Sequence, residues 1–146
     1  IGQGELLVTP IQVFNYVNLI ASKGKAKVPH FVMVDRWPEN VQPDFESDLW
    51  DRIVLDMRAV IAHKNGTGKS AQPNIPGLKV FGKTGTAENS HGEDHAWFTG
   101  WAEYYDQKFS IVVLLENGGS GGTVAAPMAG MVFSQIIHHQ EMAAEL

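Results

Sequence analysis

Cysteine is absent from all 146 residues, which excludes a disulfide scaffold and a thiolate zinc site. Long apolar runs are absent as well. The longest, Ile111-Val112-Val113-Leu114-Leu115, falls far short of the ~20 residues a helix needs to span a bilayer. There is no basic run and no interleaving of arginine with aromatic residues, so nothing marks a nucleic-acid surface. Eleven Lys and Arg stand against sixteen Asp and Glu, a net charge of −5. No signal-peptide pattern is visible, and the first residue is Ile1 rather than Met. The chain is therefore read as a piece of a longer protein, with any targeting or anchoring segment expected upstream. What is present is an ordinary globular composition, 44% hydrophobic and 18% charged. Four Trp, seven Phe and three Tyr supply the apolar surface for the core of one domain.

Thr9-Pro10 ahead of an apolar-periodic run reads as a helix start, with Thr9 capping and Pro10 in the first helical position. Ile11, Phe14, Val17, Leu19 and Ile20 keep helical spacing, and Gly24 is a stop signal. Residues 28–37 alternate imperfectly and predict a short strand or extended segment closed by Pro38, followed by polar punctuation at Gln42, Pro43 and Asp44. Ser47 is expected to cap a second helix. There Leu49, Trp50, Ile53, Val54, Met57, Val60 and Ile61 make a wide apolar stripe that Asn65-Gly66-Thr67-Gly68 ends. Residues 66–77, dense in Gly, Pro, Ser and Asn, read as an ordered loop. Strands are expected over 78–87, 95–104 and 108–116, with Tyr105-Asp106-Gln107 closing a tight hairpin. The glycines of 118–122 read as a flexible hinge. Residues 123–138 read as a last helix with Ala, Met and Val on its buried side. Phe14, Trp50, Trp97, Phe98 and Trp101 are assigned to the core. The order helix, helix, three antiparallel strands, helix predicts an α+β layer fold, an antiparallel sheet with packed helices.

Gly77-Leu78-Lys79-Val80-Phe81-Gly82-Lys83-Thr84 matches the phosphate-loop pattern letter by letter. A phosphate loop, however, needs a strand before the first glycine and a helix after the Lys-Thr, whose N-terminus meets the phosphates. Pro73 and Pro76 precede Gly77, strand formers fill the interval, and Gly85 follows Thr84, so nucleotide binding is the weakest reading. Gly66-Thr67-Gly68-Lys69-Ser70 has His63 where the first glycine should stand and fails. Read as Lys83-Thr84-Gly85-Thr86, the same stretch is a strand that turns Thr84 and Thr86 to one face. Gly85 leaves room for a substrate backbone. An edge strand with free N–H groups pairs with an extended peptide and can aim one N–H at a developing oxyanion.

Lys-Thr-Gly is one of the three motifs of serine β-lactamases and penicillin-binding proteins. Its surroundings make the match specific. Gly2-Gln3-Gly4 with Val8-Thr9-Pro10-Ile11-Gln12, then Val28-Pro29-His30, His95-Ala96-Trp97-Phe98-Thr99-Gly100 and Leu115-Glu116-Asn117-Gly118-Gly119 follow in order over nearly the whole chain. The sequence resembles the class B penicillin-binding proteins, and most closely their elongation-type transpeptidases. That resemblance implies the C-terminal part of a serine D,D-transpeptidase domain, single and incomplete over 1–146, that cross-links peptidoglycan stem peptides through an acyl-enzyme and is acylated by β-lactams. Lys83 would help hold the donor carboxylate and support proton movement, and Thr84 and Thr86 would offer hydroxyls to a carboxylate. The backbone N–H of Thr86 would be one of two oxyanion donors. Lys83, Thr84, Gly85 and Thr86 are thus the expected catalytic residues, with Lys83, Thr84 and Thr86 binding substrate and no cofactor or metal. The resemblance also implies cell-elongation membrane proteins as partners, no nucleic acid, and a place at the cytoplasmic membrane with the catalytic domain on its outer, periplasmic face.

The family's nucleophile motif, Ser-x-x-Lys, has one match in letters, Ser22-Lys23-Gly24-Lys25. It lies at a helix end with an intervening glycine, whereas the chemistry wants serine at a helix start with lysine one turn on. No Ser-x-Asn occurs, and Tyr16-Val17-Asn18 sits mid-helix, so the serine is expected upstream and the fragment alone is expected to be inactive. His91-Gly92-Glu93-Asp94-His95 reads as a solvated connection between strands rather than a metal site. A penicillin-sensing receptor domain, binding without turnover, is the alternative function.

Overall fold

The computed structural model describes residues 5–33, 43 and 45–144. Its elements are α1 (Pro10–Ala21), α2 (Ser47–Ala62), β1 (Lys79–Ala87), β2 (His95–Tyr104), β3 (Gln107–Leu115) and α3 (Ala126–Ala144), with a 3₁₀ turn at Lys69–Ala71 and one π turn at Gly121–Ala125. The three strands form an antiparallel sheet in the order β1-β2-β3. Among the described residues β1 is therefore an edge strand, and the α+β layer fold read from the sequence is present. Tyr104 pairs with Gln107 across a two-residue turn, for which Tyr105 takes φ 52°. The phenol of Tyr104 donates to Glu141 Oε1 at 2.7 Å and ties this hairpin to α3. That carboxylate pushes the phenol up to about 12.

Helix starts follow local chemistry. At α1, Gln12 Oε1 accepts the Thr9 N–H at 2.8 Å and its hydroxyl at 3.0 Å, with Pro10 in the first turn. At α2 the expected cap is corrected by one residue: Glu46 occupies the cap position without a capping hydrogen bond from its side chain, while Ser47 is already helical. The reason is a hydrophobic staple. Phe45, just before the cap, meets the ring of Trp50 at 5.4 Å and sets the angle at which the chain enters the helix. Of the strand expected over 28–37, the described residues 28–33 form none. Residues 34–37, Pro38, Gln42 and Asp44 lie outside the described residues, as does Gly2-Gln3-Gly4.

The pleat sends alternate side chains to opposite faces, and each face has its own core. Val80, Ala96, Phe98 and Ala102 join Ala126, Ala129, Phe133 and Ile137 of α3. On the other face Phe81 and Trp101 join Val17, Ile20 and Ala21 of α1 with Trp50 and Met57 of α2. Phe81 and Trp101 stack there with centroids 4.8 Å apart and planes 2° from parallel, an arrangement worth about 0.5–1.5 kcal/mol beyond area burial. Three core expectations are corrected. In α3 the small alanines and the two large residues Phe133 and Ile137 set the buried phase, so Met128, Met131 and Val132 face outward at 41%, 68% and 43% exposure. Trp97 is half-buried because it shares the pleat face of Gly85 rather than that of Phe98. Phe14 is likewise only half-buried.

The glycine run, expected as a hinge, is closely packed at Gly121 and Gly122. Its second half is the π turn, in which the Ala126 N–H reaches back to Gly121 O. Pro127 follows at the start of α3 and has no N–H for the regular ladder. Gly121 lies directly on the sheet backbone: a Cβ here would fall 2.1 Å from Gly85 O and 2.3 Å from Trp97 O. Absence of a side chain serves close approach here rather than flexibility.

One side chain completes the sheet at the start of β1. The Gln72 carboxamide donates to Leu78 O at 3.0 Å and accepts the Val80 N–H at 3.1 Å. Arg58, whose guanidinium lies over the Phe81 ring, donates to both Gln72 Oε1 (2.9 Å) and Val80 O (2.7 Å). Partial burial pulls Arg58 below its ordinary value. Two stability outcomes are expected. Gln72→Leu strands the Val80 N–H, the Leu78 carbonyl and one Arg58 donor, a loss of about 2–4 kcal/mol, and Gln72→Glu, which keeps the acceptor, recovers part of it. Gly121→Ala forces the strands or the turn to move and costs about 1–3 kcal/mol, whereas a hinge glycine would tolerate the change. Thermal unfolding of each variant measures both.

Candidate functional site

In an antiparallel pair, residues alternate between those whose N–H and C=O point into the ladder and those whose groups point away from it. Gln72 and Arg58 reach Val80 from outside the sheet, so the groups of Val80 point outward. The groups of Gly82, Thr84 and Thr86 then point outward too, while those of Lys83 and Gly85 turn inward to Thr99 and Trp97. Gly82 is buried, but Thr84 and Gly85 are half-exposed and Thr86 is exposed. The accessible part of the edge is therefore Thr84 to Thr86, with the N–H of Thr86 directed out of the sheet.

Side chains organise around this opening. Lys83, Gly85 and Ala87 share a face with Thr99, Trp97 and His95 opposite them. All six line a cleft of about 450 Å³ that Leu6, Leu7, Val8 and Val13 bound on the other side. A Cβ on Gly85 would sit 3.2 Å from Trp97 Cβ, so the glycine keeps the floor low beside the indole. Lys83 Nζ donates to Thr84 O at 2.8 Å. Among the described residues no carboxylate is within ion-pair distance of it, which leaves its charge to meet an anion in the cleft. The hydroxyls of Thr84 and Thr86 are already engaged on one side: Thr84 Oγ1 lies 2.7 Å from Thr67 Oγ1, and Thr86 Oγ1 accepts the Gly121 N–H at 3.2 Å.

The four motif residues are thus contiguous on an accessible edge beside an open cleft, and two neighbours that sequence reading passed over complete the arrangement. Trp97, expected in the core, forms a cleft wall instead, and its register opposite Gly85 is the signal that finds it. Thr67, read only as part of a loop, meets the motif across 17 residues.

The other candidates play different parts, and of them only His95 lines the cleft. Ser22 ends α1, its hydroxyl donating to Leu19 O and accepting the Lys25 N–H, while Lys23 forms an ion pair with Asp51. Tyr16, Val17 and Asn18 lie within α1. His95 Nδ1 accepts the Asn117 N–H at 2.9 Å, and Asn89 reaches Asn117 Oδ1 at 2.6 Å, so these residues tie the two loops beside the cleft together. The strand runs unbroken from Lys79 to Ala87. No helix starts at Lys83 to receive a phosphate, and the phosphate-loop match is one of letters only.

Residues 1–138 match the family model described as the penicillin binding protein transpeptidase domain. The peptidoglycan D,D-transpeptidase MrdA of Haemophilus influenzae is 30% identical over 96% of this chain and 25% of its own length. A crystal structure of Pseudomonas aeruginosa PBP2 in complex with WCK 5153 is 34% identical and superposes with a TM-score of 0.73, over 90% of this chain and 31% of that one. The PBP2 of Helicobacter pylori, in its complex with MreC, is 30% identical with a TM-score of 0.71, over 92% and 26%. The chain spans about a quarter of the length of the MrdA relative it matches. It belongs to the family of penicillin-binding protein transpeptidase domains.

Proposed function

We propose that this chain supplies the substrate-pairing edge of a serine peptidoglycan D,D-transpeptidase, within a domain completed by other segments of the protein. The observation that carries the reading is the outward face of β1. An extended peptide can add to it at Thr84 and Thr86, beside a lysine that has no carboxylate partner among the described residues. In the reaction, a serine oxygen supplied by another segment bonds to the donor carbonyl and the C–N bond breaks. The serine proton leaves on the departing amine. A second stem peptide's amine then takes the acyl group and regenerates the serine. Lys83 holds the donor carboxylate and supports proton movement, Thr84 and Thr86 donate to carboxylate oxygens, and the Thr86 N–H faces the oxyanion. β-Lactams enter by the same acylation and stop there.

The named relatives support the same reading, as does the MreC complex of the Helicobacter pylori protein for a cell-elongation partner. The corresponding place is the cytoplasmic membrane with this domain on its outer face. Among the described residues no helix is long and apolar enough to cross a membrane.

Removal of Lys83 or of the Thr86 hydroxyl is expected to slow β-lactam acylation of the full-length protein by about 10- to 1,000-fold, about 1.4–4 kcal/mol in the barrier. Lys83→Ala is the worse, since it removes a charge with the donor. Thr86→Ala is the milder, since its backbone N–H survives. The melting temperature of Lys83→Ala should hardly change, because that side chain is exposed, whereas Thr86→Ala should lower it modestly, since it strands the N–H of the buried Gly121. The second-order acylation rate measures this, and an unchanged rate in Lys83→Ala means that the motif is an ordinary solvated edge. This chain alone should not be labelled covalently by a fluorescent penicillin, and label mapped to Ser22 would reinstate the motif set aside above.

A further inference from the structure

The two motif threonines share a feature that the motif itself does not describe. Thr86 Oγ1 accepts from a backbone N–H, that of Gly121, so its own proton is free for another acceptor. Thr84 Oγ1 meets a second hydroxyl, Thr67 Oγ1, at 2.7 Å. A hydroxyl has one proton and two lone pairs. When an anionic oxygen sits in the cleft, the favoured arrangement is Thr67 donating to Thr84 and Thr84 donating to the anion, since aligned hydrogen bonds polarise each other. Thr84 lines the cleft, and Thr67 is not among the residues that do.

The position of Thr67 is closely built. Its neighbour Gly66 runs so near the end of α2 that a Cβ would fall 2.3 Å from Val60 O, and the Gly68 N–H donates to the same carbonyl at 3.0 Å. From the other side Gly122 presses on Thr67 O, where a Cβ would come within 2.8 Å. Ser70 Oγ holds Gly122 O at 3.2 Å. An exposed threonine whose backbone is clamped between α2 and the π turn has little to do for the core, and its hydroxyl has one protein partner, the motif threonine.

We propose that Thr67 is a positioning residue for carboxylate recognition: its hydroxyl donates to Thr84 Oγ1 and so directs the Thr84 proton at the substrate or β-lactam carboxylate. This rests on the carboxylate-binding role given to Thr84 above, and it adds a residue outside the Lys83–Thr86 motif together with the direction of the hydrogen-bond chain.

The test compares benzylpenicillin with its methyl ester, which lacks the anionic carboxylate, as acylating agents of the full-length protein. Thr67→Val removes the hydroxyl at nearly constant shape. It is expected to slow acylation by the acid roughly three- to tenfold, a fraction of a charge-assisted hydrogen bond, and to leave the rate with the ester unchanged. Thr67→Ser restores the acid rate, and Thr84→Val lowers it further. Equal slowing with acid and ester, or no change in Thr67→Val, overturns the proposal. If Thr84→Val alone lowers the acid-to-ester ratio, Thr67 is eliminated while the role of Thr84 stands. If Thr84→Val and Lys83→Ala both leave that ratio intact, the carboxylate reading of the motif fails and the proposal fails with it. Melting curves show that each variant is folded, which is expected for a site this exposed.

Discussion

The outer edge of β1 is the constraint from which the rest of the structure follows. An edge strand leaves a row of backbone donors and acceptors without a neighbour, and such a row must be capped, covered or used. Here the strand divides. Its first outward groups, at Leu78 and Val80, are closed by a single carboxamide and a guanidinium. Gly82 is buried, and Thr84 to Thr86 remain accessible. Any peptide that adds to this sheet therefore has its register set by where the protein's own capping ends.

The glycine-rich segment after β3 serves the same end from the other side. Gly121 lies against the Gly85–Trp97 pair and gives its N–H to Thr86. The turn that starts α3 thereby fixes both the backbone and one hydroxyl of the motif. The two cores hold this geometry from opposite faces, with α3 over Phe98 and with α1 and α2 over the Phe81–Trp101 stack. The motif is consequently packed at its floor and open at its edge.

Much of this was legible in the sequence, for identifiable reasons. Richness in β-branched and aromatic residues marks the strands to within a residue or two, and Thr9-Pro10 marks α1. The start of α2 was misplaced because a Phe45–Trp50 contact outweighed a good capping residue at Ser47. The glycines of 118–122 read as a hinge because absence of a side chain signals flexibility and close approach alike, and at Gly121 only the position of Gly85 decides between them. The outward phase of Met128 and Met131 followed from packing against Phe98 that no local period reveals. At the site, Lys83, Thr84, Gly85 and Thr86 were readable as a motif and its flanks. Gln72, Thr67 and Trp97 act on that strand through tertiary contacts, and their roles became visible only in the fold.

Amide hydrogen exchange resolved to single residues across β1, in the full-length protein before and after acylation by a β-lactam, tests the alternation of this edge most directly. The N–H groups of Lys83 and Gly85 should exchange slowly in both states, since they bond into the sheet. Thr86 should exchange fast in the free protein and slow by about tenfold or more once the acyl oxygen occupies its N–H. A Thr86 amide already protected in the free protein, or one indifferent to acylation, would contradict the assignment of this edge as the substrate-binding face.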